Sequence, residues 1–200
     1  MRTLIVHTTV ITALFLAATG CGSAESTDST EDDGQDGDSS SELKMGEFEG
    51  LEFPIPPGLE EFDFPPEDAD FGYTDPDWAE LYDAGELTDD DPNPEQLRIV
   101  LKEPEPALSS LAGIEGVLMA TDPDGYEQDD AEVDVPGSPG AAAMYSAYTN
   151  PPPHDYRAEQ WDIVIEMDEY PMYQVRYFAP EDEFNEDYAD ALLDSLEVNR

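Results

Sequence analysis

The sequence predicts an α+β domain in which an antiparallel sheet is covered by helices, and two patterns near the C-terminus carry this prediction. Between residues 161 and 177, apolar and polar residues alternate on both sides of a tight connection at 168–171, a pattern typical of an antiparallel hairpin with one apolar face. After Pro180, apolar residues recur at spacings of three and four as far as Leu196, which indicates an amphipathic helix. We expect that helix to pack on the apolar face of the hairpin.

The N-terminal segment predicts export from the cytoplasm. Residues 1–20 have the three parts of a signal peptide, with Arg2 at the start, an apolar centre over 4–18 and small residues at the end. A helix over that centre would span roughly 22 Å, less than the hydrocarbon core of roughly 30 Å. The segment therefore favours a cleaved signal peptide over a retained transmembrane helix.

The end of this segment, residues 16–22, contains the only cysteine of the chain, Cys21, preceded by small residues. It resembles the lipobox of bacterial lipoproteins, in which the chain is cut before the cysteine and the thiol receives a diacylglyceryl group. The resemblance implies cleavage between Gly20 and Cys21, acylation of Cys21 and attachment to the extracytoplasmic face of the cell membrane. Ala18 departs from the pattern, which usually has leucine there, and an ordinary signal peptide cut at the same place is the alternative.

The charge balance is strongly acidic, with 50 Asp and Glu against 7 Lys and Arg and a formal net charge of -43. Such a surface repels nucleic acids, because phosphate binding needs clustered cations. Self-repulsion of this size destabilises a compact chain unless salt screens it. We interpret the composition as an adaptation to high salt, with a cation-binding surface or simple acidic drift as alternatives.

The region that follows Cys21 predicts a tether. Residues 22–42 are rich in Ser, Thr, Asp, Glu and Gly and contain no Leu, Val, Ile or aromatic residue, so they cannot bury a core. We expect residues 21–46 to be a disordered acidic tether and residues 47–200 to form one globular domain. A single cysteine at the mature N-terminus leaves that domain without internal disulfides.

The first half of the domain contains few regular patterns. Residues 51–58 alternate apolar and polar before a run of prolines, which predicts an edge strand followed by a turn. Residues 59–94 form an irregular segment rich in acids and prolines. Within it, Asp75 as N-cap, Pro76 at the first helical position and Gly85 as the stop predict a short helix.

The middle of the chain predicts several short elements. Residues 97–102 are typical of a strand, and 107–120 have helical spacing but contain Gly113 and Gly116, so we expect a short helix and then a strand over 114–119. Residues 121–125 predict a turn. Two further strands are expected at 131–135 and 141–148.

Four of these stretches together resemble a known fold. The run 133–142, the hairpin and the closing helix over 184–196, together with the strand and proline-glycine turn at 53–58, are similar to the PsbP-like fold shared with LpqN-type actinobacterial lipoproteins. The resemblance implies an α/β/α sandwich on an antiparallel sheet, in a family of binding or accessory modules without a common catalytic site. The acidic insertion at 59–94 departs from that pattern.

No residue set in the sequence predicts catalysis, a metal site or a cofactor. His154 is the only histidine after the predicted cleavage site and lies beside Asp155 in a proline-rich loop, and no serine occupies a nucleophile elbow. Four aromatic residues are candidates for lining a ligand cleft, with plain core packing as the alternative: Trp78, Trp161, Tyr173 and Tyr177.

The sequence thus predicts a lipid-anchored, non-catalytic binding or accessory module that acts on a protein, an envelope component or an apolar ligand. The first alternative is a carboxylate-dependent cell-surface hydrolase, which would require two carboxylates with raised pKa values in one pocket. The second alternative is an acidic surface protein that binds cations.

Overall fold

The main sheet has seven antiparallel strands in the order β3-β4-β5-β9-β8-β7-β6. A computed structural model describes residues 43–62, 69–88, 91 and 93–199, so the predicted signal peptide, Gly20, Cys21 and most of the predicted tether lie outside the described residues. The strands of this sheet are β3 (Glu60–Glu61), β4 (Phe71–Thr74), β5 (Gln96–Lys102), β6 (Glu127–Glu132), β7 (Gly140–Thr149), β8 (Arg157–Glu166) and β9 (Met172–Pro180).

The hairpin of β8 and β9 forms as the alternation predicts. Ile163 pairs with Val175, and Asp162 pairs with Arg176 one position away. Since successive side chains of a strand point to opposite faces, the first pair lies on one face of the sheet and the second pair on the other. The hairpin therefore separates an apolar face from a polar one, as expected.

The apolar face is covered by a helix and a second sheet. Helix α3 (Glu186–Ser195) buries Tyr188 and Leu192, and Asn185 caps its first turn by accepting a hydrogen bond from the Tyr188 N–H at 3.0 Å. The second sheet contains β1 (Met45–Phe48), β2 (Leu51–Pro54) and β10 (Glu197–Val198). Its buried residues belong to the same core cluster as the hairpin.

The predicted edge position of β2 is wrong. The strand lies in the centre of the small sheet, between β1 and β10, and Leu51 and Phe53 are fully buried. The pairing with β10 comes from the last residues of the chain, and the two-residue run of Glu197 and Val198 has no strand pattern of its own. Proline ends the strand at Pro54, so it does not interrupt the pairing.

The opposite face carries helix α2 (Ala107–Thr121), which packs on β7 and β8 through residues that include Leu111, Met144 and Val164. Its first turn is fixed from outside the helix, because Glu166 accepts a hydrogen bond from the Ala107 N–H at 2.7 Å. The strand expected over 114–119 is wrong. Gly113 and Gly116 lie in the helix on its open side, and the packing of Leu111 and Leu118 outweighs their low helix propensity.

Helices on both faces of an antiparallel sheet confirm the α+β class and the layered arrangement. Helix α1 (Pro76–Ala84) also forms as predicted, with Asp75 accepting from the Trp78 N–H and Gly85 in the left-handed conformation. Among the described residues, none of the helices combines the length and apolarity needed to cross a bilayer.

Other boundaries differ from the expectations. The predicted tether extends to residue 46, yet Met45 and Gly46 lie in β1, and the Ile55 N–H donates to the Lys44 carbonyl at 2.7 Å. The strand expected at 131–135 occurs earlier, as β6. Its residues pair with β7 but are mostly exposed, so no apolar alternation marks the strand in the sequence. The segment 59–94 contains β3 and β4 as well as α1.

Candidate functional site

A row of polar side chains crosses β5, β9 and β8 on the face that carries α2. Arg98 of β5 is directly opposite Arg176 of β9, which is directly opposite Asp162 of β8. Gln96, Gln160 and Gln174 share this face, because they are an even number of positions away. Helix α2 packs on β7 and β8 and leaves the neighbouring part of this face uncovered. Four residues of the row line a cavity of about 200 Å³ there, together with Asn93, Tyr148 and Phe178. We call this cavity the polar cleft.

Asp162 anchors the polar cleft. Its side chain is fully buried and accepts three hydrogen bonds, from Arg176 Nε at 2.9 Å, from Gln174 Nε2 at 3.1 Å and from Gln160 Nε2 at 2.5 Å. A buried carboxyl group needs such compensation, since desolvation of an unpaired charge is costly. The Asp162 side chain thereby holds Arg176 and two glutamine amides in fixed positions.

Tyr148 continues this network at the wall of the polar cleft. Its hydroxyl donates to Gln160 Oε1 at 3.1 Å, which leaves Gln160 Nε2 to donate to Asp162 and so determines the orientation of the amide. Burial raises the pKa of the Tyr148 hydroxyl to about 12. The hydroxyl therefore stays protonated and remains a hydrogen-bond donor at neutral pH.

Two buried polar atoms beside this network have no hydrogen-bond partner within the described part of the chain. Gln96 is 1% exposed and its Oε1 accepts from Arg98 Nε at 2.7 Å, but its Nε2 donates to nothing. Thr74, which pairs with Gln96 across β4 and β5, is fully buried and its Oγ1 is also unpartnered. A buried polar group left unsatisfied costs about 1–3 kcal/mol, so each such group needs an explanation.

A second compartment adjoins the polar cleft along α2. It has a volume of about 410 Å³ and shares Tyr148, Gln160 and Arg176 with the polar cleft. Lys102 lies at its wall and donates to Ser110 Oγ at 3.2 Å. Arg98, Lys102 and Arg176 together make up three of the 7 basic residues of the chain.

Three of the four aromatic residues predicted to line a cleft lie together, but in the core, and Trp78 lies apart from them. Tyr173 and Tyr177 are fully buried in the core on the α3 side of the sheet, and Trp161 packs against the same core. Trp78 lies on α1, where its ring stacks on Tyr82 with centroids 5.2 Å apart. Core packing, the alternative interpretation, describes the three hairpin residues, and none of the four lies in the polar cleft.

Sequence reasoning missed the polar cleft. The signal was present as Gln160 and Asp162 on one predicted strand and Gln174 and Arg176 on the next, but an alternating polar face normally indicates solvent. A pairing of Asp162 with Arg176 across a predicted hairpin, in a chain with so few cations, is the feature that could have revealed it.

The described residues do not bring together the side chains that the predicted alternatives, hydrolysis and cation binding, would require. Burial raises the pKa of Glu95, whose carboxylate accepts a hydrogen bond from the Tyr177 hydroxyl. Tyr177 is on the face opposite Asp162, so these two carboxyl groups do not share a pocket. His154 is half-buried beside the Tyr156 ring in a loop. No cluster of three metal-ligating side chains occurs in the described ranges.

Comparison with solved structures finds chains that are similar to this one. No family model matches the chain, and no curated protein matches it. The chain is similar to the solution structure of cyanobacterial PsbP (CyanoP) from Synechocystis sp. PCC 6803, at 12% sequence identity and a TM-score of 0.47. The similarity covers 78% of this chain and 92% of that chain.

The Asp162 anchor predicts a large loss of stability on truncation. Asp162→Ala leaves Arg176 and the two glutamine amides without their acceptor, so we expect the free energy of unfolding to fall by roughly 3–5 kcal/mol. Denaturant unfolding at one fixed NaCl concentration measures this change.

The matched control is Glu127→Ala. Glu127 pairs with Arg157 at 2.8 Å but its side chain is 72% exposed, so its removal should cost less than about 1 kcal/mol. Equal losses for the two variants would show that the buried network does not stabilise the sheet.

Proposed function

We propose that this protein is a lipid-anchored module on the extracytoplasmic face of the cell membrane that binds a ligand in the polar cleft without transforming it. The polar cleft is the observation that supports this proposal most directly. Its wall offers arginine, glutamine and tyrosine groups, which hold a ligand by hydrogen bonds and charge. Asp162 does not line the cleft but is buried beside this wall, and its carboxyl group already accepts from three donors.

The anchor in this proposal is a lipid on Cys21. Two acyl chains give stable membrane attachment, whereas a single chain gives marginal attachment. The acidic tether then lets the domain reach a partner protein or another envelope component at some distance from the bilayer. We do not assign a nucleic-acid partner, because the net charge of -43 opposes one.

The proposal includes adaptation to a saline medium. The acids of the described chain are mostly exposed, for example along β6, where Asp129 and Asp130 are neighbours. At molar salt the Debye length falls to about 3 Å, which screens most of the repulsion between such groups.

The anchor predicts that Cys21→Ser releases the protein from the membrane, because serine lacks the thiol that accepts the lipid. Cell fractionation and intact mass analysis measure this. We expect wild-type protein in the membrane fraction, with Cys21 at its N-terminus and the mass of a lipid added, and the variant outside that fraction. Ser23→Ala is the control and should behave as wild type. An unmodified wild-type chain that begins at another residue would refute the anchor.

The binding role predicts a specific neighbour at the cleft. A photo-crosslinking amino acid at Gly113 should capture one defined component in native envelopes. Gly113 lines the second compartment, and apart from its chain neighbours and the backbone of its own helix no atom lies within 4 Å of the position of a Cβ. The control position is Ala120, exposed on the same helix. If both positions yield the same adducts, the capture is not specific to the cleft and the binding role loses its support.

The saline adaptation predicts a fold that gains stability with salt. Circular dichroism during thermal unfolding should show the melting temperature rising as NaCl increases from about 0.1 M to molar concentrations, since the Debye length falls from about 10 Å to about 3 Å over that range. A control titration with sucrose separates charge screening from general exclusion effects. A melting temperature independent of NaCl would rule out the adaptation.

A further inference from the structure

The unpartnered donor in the polar cleft points to a ligand that accepts hydrogen bonds. Gln96 Oε1 is held by Arg98 Nε, so the amide cannot rotate to exchange its oxygen and nitrogen without losing that bond. Gln96 Nε2 consequently stays buried and without a partner among the described residues, and Gln96 lines the polar cleft. Thr74, the cross-strand neighbour of Gln96, also has an unpartnered hydroxyl, although it does not line the cleft.

The charges of the polar cleft indicate that this ligand is an anion. Arg98 and Arg176 occupy directly opposed positions on β5 and β9, an arrangement of like charges that is unfavourable by itself. Asp162 pairs with Arg176, and both arginines have further interactions within the chain. An oxyanion beside the two guanidinium groups adds to this network and reduces their mutual repulsion. In a chain with 50 acidic residues and 7 basic ones, two neighbouring arginines at one cavity are contrary to the overall composition.

The size and lining of the two compartments indicate that the ligand has an apolar part as well as a charged one. A volume of about 200 Å³ suits a small head group, since one water occupies about 30 Å³ of liquid volume. The adjoining compartment of about 410 Å³ is bordered by Ile114, Val117 and Leu118 of α2. The Val117 side chain is 65% exposed, so apolar surface is available along that wall.

We therefore propose that the polar cleft binds an organic anion, with its oxyanion head group against Gln96, Arg98 and Arg176 and a short apolar body along α2. This inference rests on the proposed function, because it names the ligand class for the same cleft. A carboxylate and a phosphate group share the chemistry that these donors recognise.

Isothermal titration calorimetry with three probes tests this assignment. The protein is the chain from residue 21 onward with Cys21→Ser, so that no detergent is needed, and NaCl is kept at one concentration. Octanoate supplies a carboxylate and an apolar body, 1-octanol supplies the body alone, and inorganic phosphate supplies an oxyanion alone. We expect octanoate to bind with one-to-one stoichiometry and more than about tenfold more tightly than 1-octanol.

Two isosteric variants locate the binding. Gln96→Glu keeps the oxygen that accepts from Arg98 and replaces the unpartnered donor with a negatively charged oxygen, so octanoate affinity should fall by more than about tenfold. Gln128→Glu adds the same charge at an exposed position of β6 and should leave the affinity unchanged. Circular dichroism confirms that both variants are folded.

The outcomes separate the ligand class from the proposed function. Displacement of octanoate by phosphate would support an oxyanion site of either source, and octanoate binding without displacement would support a carboxylate site. Any of three results would overturn the anion assignment. These are equal affinities for 1-octanol and octanoate, an unchanged octanoate affinity in Gln96→Glu, and no binding of either octanoate or phosphate by the folded chain. If specific crosslinking at Gly113 persists in that case, the binding module stands with another ligand class; if it is also lost, the proposed function fails.

Discussion

The pairing of β8 with β9 holds the apolar side chains of the hairpin on one face of the sheet and its polar side chains on the other. A shift of β9 by one residue against β8 would move Val175 to the α2 side and bring Arg176 into the apolar core, away from Asp162. The cost of burying these two charges without their partners would be large. Apolar packing on one face and the polar network on the other therefore support the same register.

The same register explains why this fold can hold a polar cleft. The α3 side is filled by large apolar and aromatic residues such as Tyr173 and Leu192, so it supplies stability. Helix α2 packs on β7 and β8, and beyond it the polar side chains form a hydrogen-bonded network that leaves Gln96 Nε2 without a partner among the described residues. One layer of the sandwich stabilises the domain, and the partly covered layer remains available for binding.

Much of the fold could be predicted from local pattern, and the site could not. The hairpin, α1 and α3 have strong periodicity or clear caps, so their residues identify them. The central position of β2 depends on β10 at the far end of the chain, and the full length of α2 depends on packing that overrides two glycines. The polar cleft depends on the register between β5 and the hairpin, which are distant in sequence, and this register places Gln96 beside the hairpin. The alternation shows only that these residues share a face; burial decides that they form a site.

High salt and anion binding are compatible because they act over different distances. At low salt the acidic surface repels an approaching anion over roughly 10 Å or more, and at molar salt the same repulsion extends over only about 3 Å. The donors of Gln96, Arg98 and Arg176 act at hydrogen-bond distance inside a cavity, where screening is weaker. In the proposed saline medium, salt therefore lowers the barrier to approach, and it screens the contacts inside the cavity less. The proposed saline adaptation and the proposed anion site are in this way compatible.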